Sequence, residues 1–232
     1  MKCPRLIRIV LVLVLVLGCL AIAIFRAREP RYQGRTLTEW IKVGDDAYSA
    51  FTAHLVGYPY NELEADPGWK ASSHAVRQMG TKAIPFLLNC AHATDSPQKA
   101  KVIEWLEEHP SLHFHIRSAF DRQGIAAFGF WLLGDDAKAA WPGLVQLTYD
   151  KNPELRTWAL HHLTYCHPDD EIILPVLTRL SQDPDTNVEG YAAFIFDGWN
   201  PVQAESSGVY KRHPELRPSH IGEIKTNQPL AK

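Results

Sequence analysis

The residue types best suited to metal chemistry are concentrated within seven positions of the chain: His161, His162, Cys166 and His167. His162 and Cys166 are four residues apart, so a helix would place both side chains on one face. Imidazole and thiolate both bind zinc, but a closed zinc site needs four ligands and this pair supplies two. We therefore interpret the stretch as a helix end in which Leu160 and Leu163 mark the buried stripe and His161 is exposed. No metal and no cofactor are predicted.

Two further groups of residues suit metal-binding or acid–base chemistry. His113 and His115 would point to the same side only in a strand. Neighbouring acidic residues occur as four pairs: Asp45-Asp46, Glu107-Glu108, Asp135-Asp136 and Asp169-Asp170. Three of these pairs begin predicted helices, where carboxylates complement the helix dipole, so capping explains them better than catalysis.

Neither motifs nor charge point to an enzyme or to a nucleic-acid-binding protein. The sequence contains no Gly-x-Ser-x-Gly, His-Glu-x-x-His, Cys-x-x-Cys or phosphate-loop glycine pattern. It has 24 basic and 26 acidic residues, and five of the basic residues lie within positions 1–30, so the remainder is acidic. Nucleic-acid binding rests on neutralising phosphates with Lys and Arg, so no nucleic-acid partner is expected.

The N-terminus contains an uncharged apolar segment at residues 9–25, preceded by a basic tail at residues 1–8. Its seventeen residues are at the lower edge of a membrane-spanning length, and we predict a retained single-pass anchor in the cell membrane. A signal peptide cleaved after Ala23 and a lipoprotein acylated at Cys19 remain alternatives. Basic residues lie on both sides of the segment, but its short leading tail favours an extracytoplasmic body.

The rest of the chain has helical patterns separated by turn residues. Residues 26–35 resemble a linker, and Thr36 with Glu39 forms a capping box that begins a helix. A second helix from Asp45 or Asp46 and a loop complete an N-terminal capping region over residues 36–68. Regular helical patterns then occupy residues 69–202, and the polar residues 203–232 are expected to form a mobile tail. The predicted fold class is all-α.

The helices repeat with a period of 33 residues. Shifting the chain by this distance aligns eight positions of two successive helices, all of them apolar, proline or turn residues. The aligned pairs are Pro142 with Pro175, Leu144 with Leu177, Leu147 with Leu180, Asp150 with Asp183, Leu155 with Val188, Trp158 with Tyr191, Ala159 with Ala192, and Leu163 with Phe196. Such a period predicts a helix-pair repeat, in which neighbouring pairs bury each other's apolar faces.

At these residues the sequence resembles the HEAT-repeat family in its short-repeat, PBS-lyase-like form. The motif is a Leu-Gly that ends one helix and a Pro-x-Leu-x-x-Leu that opens the next, matched by Leu133-Gly134 and residues 142–147. Degenerate matches occur at residues 79–88 and 175–180. The layout also resembles bacterial membrane-anchored HEAT-repeat proteins. The resemblance covers about residues 69–200 and implies an α-α superhelix. The spacing of 57 between Pro85 and Pro142 departs from it.

The resemblance implies a binding module rather than a particular reaction. HEAT-like di-iron hydroxylases use His-Glu dipeptides, which this chain lacks, and relatives that attach bilin pigments do not encode that chemistry in the repeat itself. We expect Trp158 and Tyr191 to pack between repeats, and Trp141 and Tyr149 to lie on a groove surface. The expected function is a membrane-anchored scaffold for an unidentified protein partner. The alternative is a metal-dependent or lyase-type enzyme with a histidine-rich groove.

Overall fold

The structure is a computed structural model that describes residues 29–54, 63–114 and 116–217, with residues 50–54 described by their backbone alone. Helices account for most of these residues, which confirms the all-α prediction, and the strands described are a single pair of two residues each. None of the described helices is long and apolar enough to cross a membrane. The predicted tail and anchor at residues 1–25 lie outside the described residues.

The chain divides into two compact units, of which the first ends at Ala140. A hairpin of β1 (Arg31–Tyr32) and β2 (Arg35–Thr36) precedes the helices, with Arg31 opposite Thr36. The helices of the first unit are α1 (Leu37–His54), α2 (Pro67–Met79), α3 (Ile84–Ala91), α4 (Pro97–Glu107) and α5 (Ala119–Leu133). Short 3-10 turns occupy Leu63–Ala65, Gly80–Ala83, Pro110–Leu112 and Gly134–Ala140. The predicted linker therefore ends in a hairpin.

Helix α1 begins with the predicted capping box but does not end where the sequence indicated. The Thr36 amide donates to Glu39 Oε2 at 2.7 Å, and the Glu39 amide donates to Thr36 Oγ1 at 3.2 Å. Instead of a second helix starting at Asp45 or Asp46, α1 continues through both residues. Gly44 does not interrupt it because it lies where α1 meets Ser72 of α2, and a Cβ there would be 2.7 Å from Ser72 Oγ. Tertiary packing thus overrides a weak helix former.

The core of the first unit forms where α5 packs against α1, α2 and α3. Ile41, Leu87 and Phe130 are among its buried side chains. At Gly129, a Cβ atom would overlap Leu87 and approach Ile41 Cδ1 to 3.1 Å, so α5 comes unusually close to its neighbours there. This close contact fixes α5 relative to α1.

The second unit begins at Trp141 and contains the two helix pairs of the 33-residue period. Its elements are α6 (Trp141–Leu147), α7 (Pro153–Tyr165), α8 (Asp170–Leu180), α9 (Thr186–Trp199), α10 (Pro201–Ser206), α11 (Val209–Arg212) and a 3-10 turn at Pro214–Leu216. Helix α6 packs on α7, α8 on α9, and α9 on α7. Residues 33 positions apart match in burial, as with Ala159 and Ala192, both fully buried. The predicted helix pairs are therefore present and adjacent.

A buried ion pair joins the two helix pairs of the second unit. Arg156 of α7 donates from Nε and Nη2 to the two carboxylate oxygens of Asp183, at 2.9 and 2.5 Å. Its Nη1 donates to the carbonyl oxygens of Asp150 and Lys151. The side chains of Arg156 and Asp183 are only 11% and 6% exposed. Arg156 thus fixes the turn before α7 to the turn before α9.

Residues 203–217, which the sequence analysis assigned to a mobile tail, differ from that expectation. They lie in α10, α11 and the following 3-10 turn, and Ala204, Val209 and Tyr210 are buried. The Tyr210 hydroxyl donates to Asp197 of α9 at 2.6 Å. A few apolar residues suffice here because α10 packs against the neighbouring α9. Residues 218–232 of the predicted tail lie outside the described part of the chain.

Candidate functional site

A groove in the first unit, between α1 and the start of α5, is the strongest candidate for a binding site. It encloses about 560 Å³, with apolar side chains interspersed with charged ones. We call it the α1–α5 groove. Its lining residues are Thr38, Ile41, Lys42 and Asp45 from α1, and Arg117, Phe120, Asp121, Gly124, Ile125 and Phe128 from α5 and the residues before it.

Capping interactions hold the α5 wall of the groove in place. The Ser118 hydroxyl accepts from the Asp121 amide at 3.0 Å, and the Asp121 carboxylate accepts from the Ser118 amide at 2.7 Å. Asp95 adds a second anchor, because its Oδ2 accepts from the Ala119 amide and its Oδ1 accepts from Lys99 Nζ, each at 2.5 Å. The start of α5 and the first turn of α4 are thus held by one carboxylate.

The groove has an open floor and an exposed aromatic rim. Phe120 is 70% exposed, although most Phe side chains in folded proteins are buried. A Cβ added at Gly124 would meet no atom within 4 Å, so the centre of the α5 wall faces empty space. Ile41 and Ile125 come from opposite walls. An apolar side chain of a ligand could therefore reach the floor without displacing any part of the protein.

Polar groups of both signs line the same groove. Lys42 and Asp45 are one turn apart on α1, and Arg117 and Asp121 lie on the opposite wall. Burial, with a smaller contribution from Asp46, raises the pKa of Asp45 above its usual value. The Thr38 hydroxyl oxygen is buried and has no hydrogen-bond partner among the described residues. A ligand with both charges and a hydrogen-bonding group would complement this lining.

A cluster of four aromatic side chains adjoins the groove through Phe128. Phe128 and Trp131 of α5 pack edge to face with Tyr48 of α1 and Trp69 of α2. The ring centroids lie 4.7 to 6.1 Å apart, with the closest pair formed by Trp69 and Trp131. Such contacts are worth about 0.5–1.5 kcal/mol each beyond burial. This aromatic cluster fixes the end of the groove that Phe128 forms.

The histidine-rich stretch of the second unit lies at the end of α7, as the sequence predicted, but His161 is half-buried rather than exposed. His162 is fully buried and stacks on Trp158, and burial with the nearby His161 lowers its pKa to about 3. Burial raises the pKa of Cys166 to about 12. Within residues 29–54, 63–114 and 116–217, no group of three or more His, Cys, Asp or Glu is arranged to hold a metal.

The aromatic residues singled out in the sequence have different environments. Trp158 packs edge to face with His161 at 5.3 Å, and the Tyr191 hydroxyl is 2.8 Å from His161 Nδ1, so these side chains join α7 to α9. Trp141 is half-buried and donates to the Cys166 carbonyl at 3.2 Å. Tyr149 is exposed, with the Arg179 guanidinium 3.8 Å from its ring centroid. Of these four aromatic side chains, Tyr149 alone is exposed, and the other three are half-buried.

The remaining sequence candidates are not brought together into a site. Asp45 and Asp46 lie inside α1, Asp135 and Asp136 in a 3-10 turn, and Glu107 and Glu108 at the end of α4. Asp169 is the N-cap residue of α8, where its side chain forms no capping hydrogen bond. His113 is exposed, and His115 lies outside the described residues. A larger but more open depression of about 810 Å³ lies along α8, where Leu174 and Pro175 line it together with polar residues such as Thr178 and Gln182.

Comparison with known proteins returned no match, whether to a protein-family model, to a curated protein or to a solved structure. The α1–α5 groove is accordingly interpreted from its own residues. Sequence reasoning did not find this groove, because its walls are some eighty positions apart in the chain. The available signal was the almost entirely apolar sequence of α5 from Ile125 to Leu133, with Phe120 before it.

Proposed function

We propose that this chain is a HEAT-type helical-repeat module, held at a membrane by residues 9–25, that binds a protein partner in the α1–α5 groove. The observation that carries the proposal is the groove itself. It combines an apolar floor, an exposed Phe120 and charged groups of both signs on its two walls. Exposed apolar side chains rimmed by polar ones are typical of interaction sites.

The partner that best fits the groove is an amphipathic helix. From Thr38 to Asp45 the α1 wall extends about 10 Å, and from Phe120 to Phe128 the α5 wall extends about 12 Å, at 1.5 Å per residue. Two turns of a bound helix have this length. Apolar anchors three or four residues apart would contact Ile41, Ile125 and Phe120, as in other helix-in-groove complexes. Lys42 and Asp45 would orient the helix through its own charges.

The repeat assignment rests on the second unit. Two helix pairs whose equivalent residues lie 33 positions apart pack side by side, and the equivalent positions match in burial. That arrangement is what a short-repeat solenoid requires between neighbours. We further propose that the superhelix extends to the rest of the chain and that residues 9–25 form a membrane anchor. The body is proposed to lie outside the cytoplasm.

The alternative, an enzyme with a histidine-rich groove, has less support. His162 is fully buried, and the high pKa of Cys166 disfavours the thiolate that zinc would need. The geometry favours recognition over catalysis.

Photo-crosslinking followed by a groove-filling substitution tests the proposal. A benzoyl-phenylalanine at position 120 of the full-length chain should capture one partner in cells, which mass spectrometry then identifies. Gly124→Leu should weaken binding of that purified partner at least tenfold, because the added side chain starts from a Cβ position with no atom within 4 Å and extends into the groove.

Gly190→Leu is the matched control, since Gly190 also lies inside a helix, and a Cβ added there would meet no atom within 4 Å. It should leave the affinity unchanged. Equal affinities of the two variants for the captured partner would refute binding in the groove.

A further inference from the structure

A histidine lies between two carboxylates where α11 ends and the last 3-10 turn begins. His213 is the cap residue shared by α11 and the turn Pro214–Leu216, and its side chain is 17% exposed. Its Nδ1 lies 3.0 Å from Glu215 Oε1, and its Nε2 lies 2.9 Å from Oε1 of Glu189, in the first turn of α9. The imidazole thus connects the last described turn to α9. We call these three side chains the His213 bridge.

The protonation state of His213 decides whether both contacts are favourable. A protonated imidazole carries an N–H on each ring nitrogen, whereas a neutral ring carries one N–H and one lone pair. Because both nitrogens lie beside carboxylate oxygens, a neutral ring would direct its lone pair at a negative charge. The contact with Glu189 is not aligned as a hydrogen bond, so attraction between opposite charges accounts for it. Both contacts therefore favour the charged ring.

Glu189 is shared between two cationic side chains of the C-terminal elements. Arg212 Nε lies 3.3 Å from the same carboxylate oxygen as His213 Nε2. The side chains of Glu189 and His213 are each 17% exposed, so water and salt screen this ion pair incompletely. Among the residues that the structure describes, the charged groups that face His213 are therefore Glu189 from α9, Arg212 from α11 and Glu215 from the turn.

Other contacts hold α11 without the help of His213. Val209 and Tyr210 are buried, and the Tyr210 hydroxyl donates to Asp197 of α9 at 2.6 Å. Arg217 contacts Glu205 of α10 at 2.8 Å, but both side chains are exposed, and such surface pairs contribute little. Loss of the contacts of His213 would therefore release the last turn while α11 stays in place.

We propose that the His213 bridge is a pH-sensitive contact, which holds residues 213–217 against α9 when the ring is protonated and releases them when the ring loses its proton. Deprotonation leaves one of the two carboxylates without a donor from the ring. Arg212 still contacts Glu189, so release does not leave that carboxylate without a cation. The bridge thus determines whether the chain that leaves the second unit at Arg217 is fixed beside α9.

The direction of the pH dependence follows from the two carboxylates. Burial of His213 opposes protonation, but the hydrogen bonds and charges of Glu189 and Glu215 outweigh it and raise the pKa of His213 above its usual value of 6.5. A raised folded-state pKa means that the stabilisation is complete below the unfolded-state value near 6.5 and is lost as the pH rises through the folded-state value. Release is therefore expected on the alkaline side of neutral pH.

Amide hydrogen exchange at the last turn tests the proposal. The Leu216 amide donates to the His213 carbonyl and the Arg217 amide to the Pro214 carbonyl, each at 3.2 Å, so both amides report whether the turn is formed. The measurement uses the full-length chain in detergent micelles and corrects for the intrinsic effect of pH on exchange. Between about pH 5.5 and about pH 9, protection of these amides should fall roughly three- to tenfold.

Three variants separate titration of His213 from a purely structural role. His213→Gln keeps a side chain that can form hydrogen bonds but cannot titrate, so protection of the turn should be independent of pH. Glu189→Gln should remove most of the pH dependence and should lower the pKa of His213, as read from its ring carbon signal by NMR. His92→Gln replaces an exposed histidine of the first unit and is the matched control, which should keep the original pH profile.

Constant protection of the Leu216 amide across this pH range in the original chain would overturn the proposal. The same pH dependence in His213→Gln, or an unchanged pKa of His213 in Glu189→Gln, would also contradict it. An equal loss of protection throughout α9 would mean that the unit unfolds as a whole, which is incompatible with release of the last turn alone.

Discussion

Loss of the carboxylate of Asp183 should destabilise the second unit through a buried charge. Asp183→Asn keeps the size of the side chain and can still accept the hydrogen bond from the Asp185 amide at 3.0 Å. It removes the negative charge that Arg156 contacts through two nitrogen atoms. Arg156 would remain almost fully buried, with a neutral amide oxygen at position 183 and the carbonyl oxygens of Asp150 and Lys151 as acceptors.

The size of the effect follows from what Arg156 retains. Removing one partner of a buried ion pair costs about 3–5 kcal/mol, because the remaining charge stays desolvated. Two carbonyl hydrogen bonds persist here, so we expect the lower end, about 3 kcal/mol of unfolding free energy. Glu205→Gln breaks an exposed pair with Arg217 at 2.8 Å and should cost less than about 1 kcal/mol. This pair is the matched control.

The pH dependence gives a second, independent measurement. Burial opposes ionisation of Asp183, but the hydrogen bonds and charges of Arg156, with the Asp185 amide and Arg179, outweigh it and lower its pKa. A lowered folded-state pKa means that the stabilisation is complete above the unfolded-state value near 3.8 and is lost as the pH falls through the folded-state value. The gap between the original chain and Asp183→Asn should therefore narrow in acid.

Urea unfolding of the full-length chain in detergent micelles, followed by circular dichroism at pH 7 and below pH 4, measures both quantities. Equal losses for Asp183→Asn and Glu205→Gln at pH 7 would refute the reasoning that burial decides the cost. A gap that stays constant down to pH 2 would refute the assignment of that cost to the ionised carboxylate.

Three further predictions concern packing and buried groups. Gly129→Val should lower the free energy of unfolding by about 1–3 kcal/mol, because a side chain at this position overlaps Leu87. Gly124→Ala should raise it by up to about 1 kcal/mol, because alanine favours the helix more than glycine and its Cβ meets no atom within 4 Å. The midpoints of urea unfolding measure both changes. Burial lowers the pKa of His162 to about 3, so the unfolded chain binds a proton more readily than the folded one below the unfolded-state pKa near 6.5. The free energy of unfolding should therefore fall by up to about 1.4 kcal/mol per pH unit as the pH drops below that value. His162→Phe should reduce this slope, as measured by unfolding at a series of acid pH values. The thiol of Cys166 should resist a thiol-specific reagent until urea unfolds the chain, since it is buried and its pKa is raised to about 12, and rapid labelling of the native chain would contradict this.

Local sequence signals predicted helix starts well. Thr36 acts as a cap at the predicted position, and Ser96, Ser118 and Asn152 cap α4, α5 and α7 in the same way, because a capping hydrogen bond joins residues two or three positions apart. The 33-residue period likewise predicted the helix pairs around Ala159 and Ala192, since equivalent packing demands equivalent residues.

Features that depend on distant contacts were not predictable in the same way. Glycine weakens a helix, so the sequence around Gly44 does not predict a continuous α1. The close contact with Ser72, which the local sequence cannot show, explains why glycine lies inside the helix. The polar composition beyond residue 203 predicts a mobile tail, but the Tyr210 hydroxyl donates a hydrogen bond to Asp197 on α9. The α1–α5 groove combines Ile41 with Ile125, and no local pattern links positions so far apart.

The carboxylate of Asp95 connects two elements of the first unit, the helix α4 and the start of α5. It accepts from Lys99 on α4 and from the Ala119 amide at the start of α5, and Arg122 lies 3.2 Å from the same oxygen as Lys99. Helix α4 and the α5 wall of the groove are therefore held by the same carboxylate. A variant at Asp95 would therefore disturb α4 and the α5 wall of the groove together, so it could not separate the contributions of these two elements.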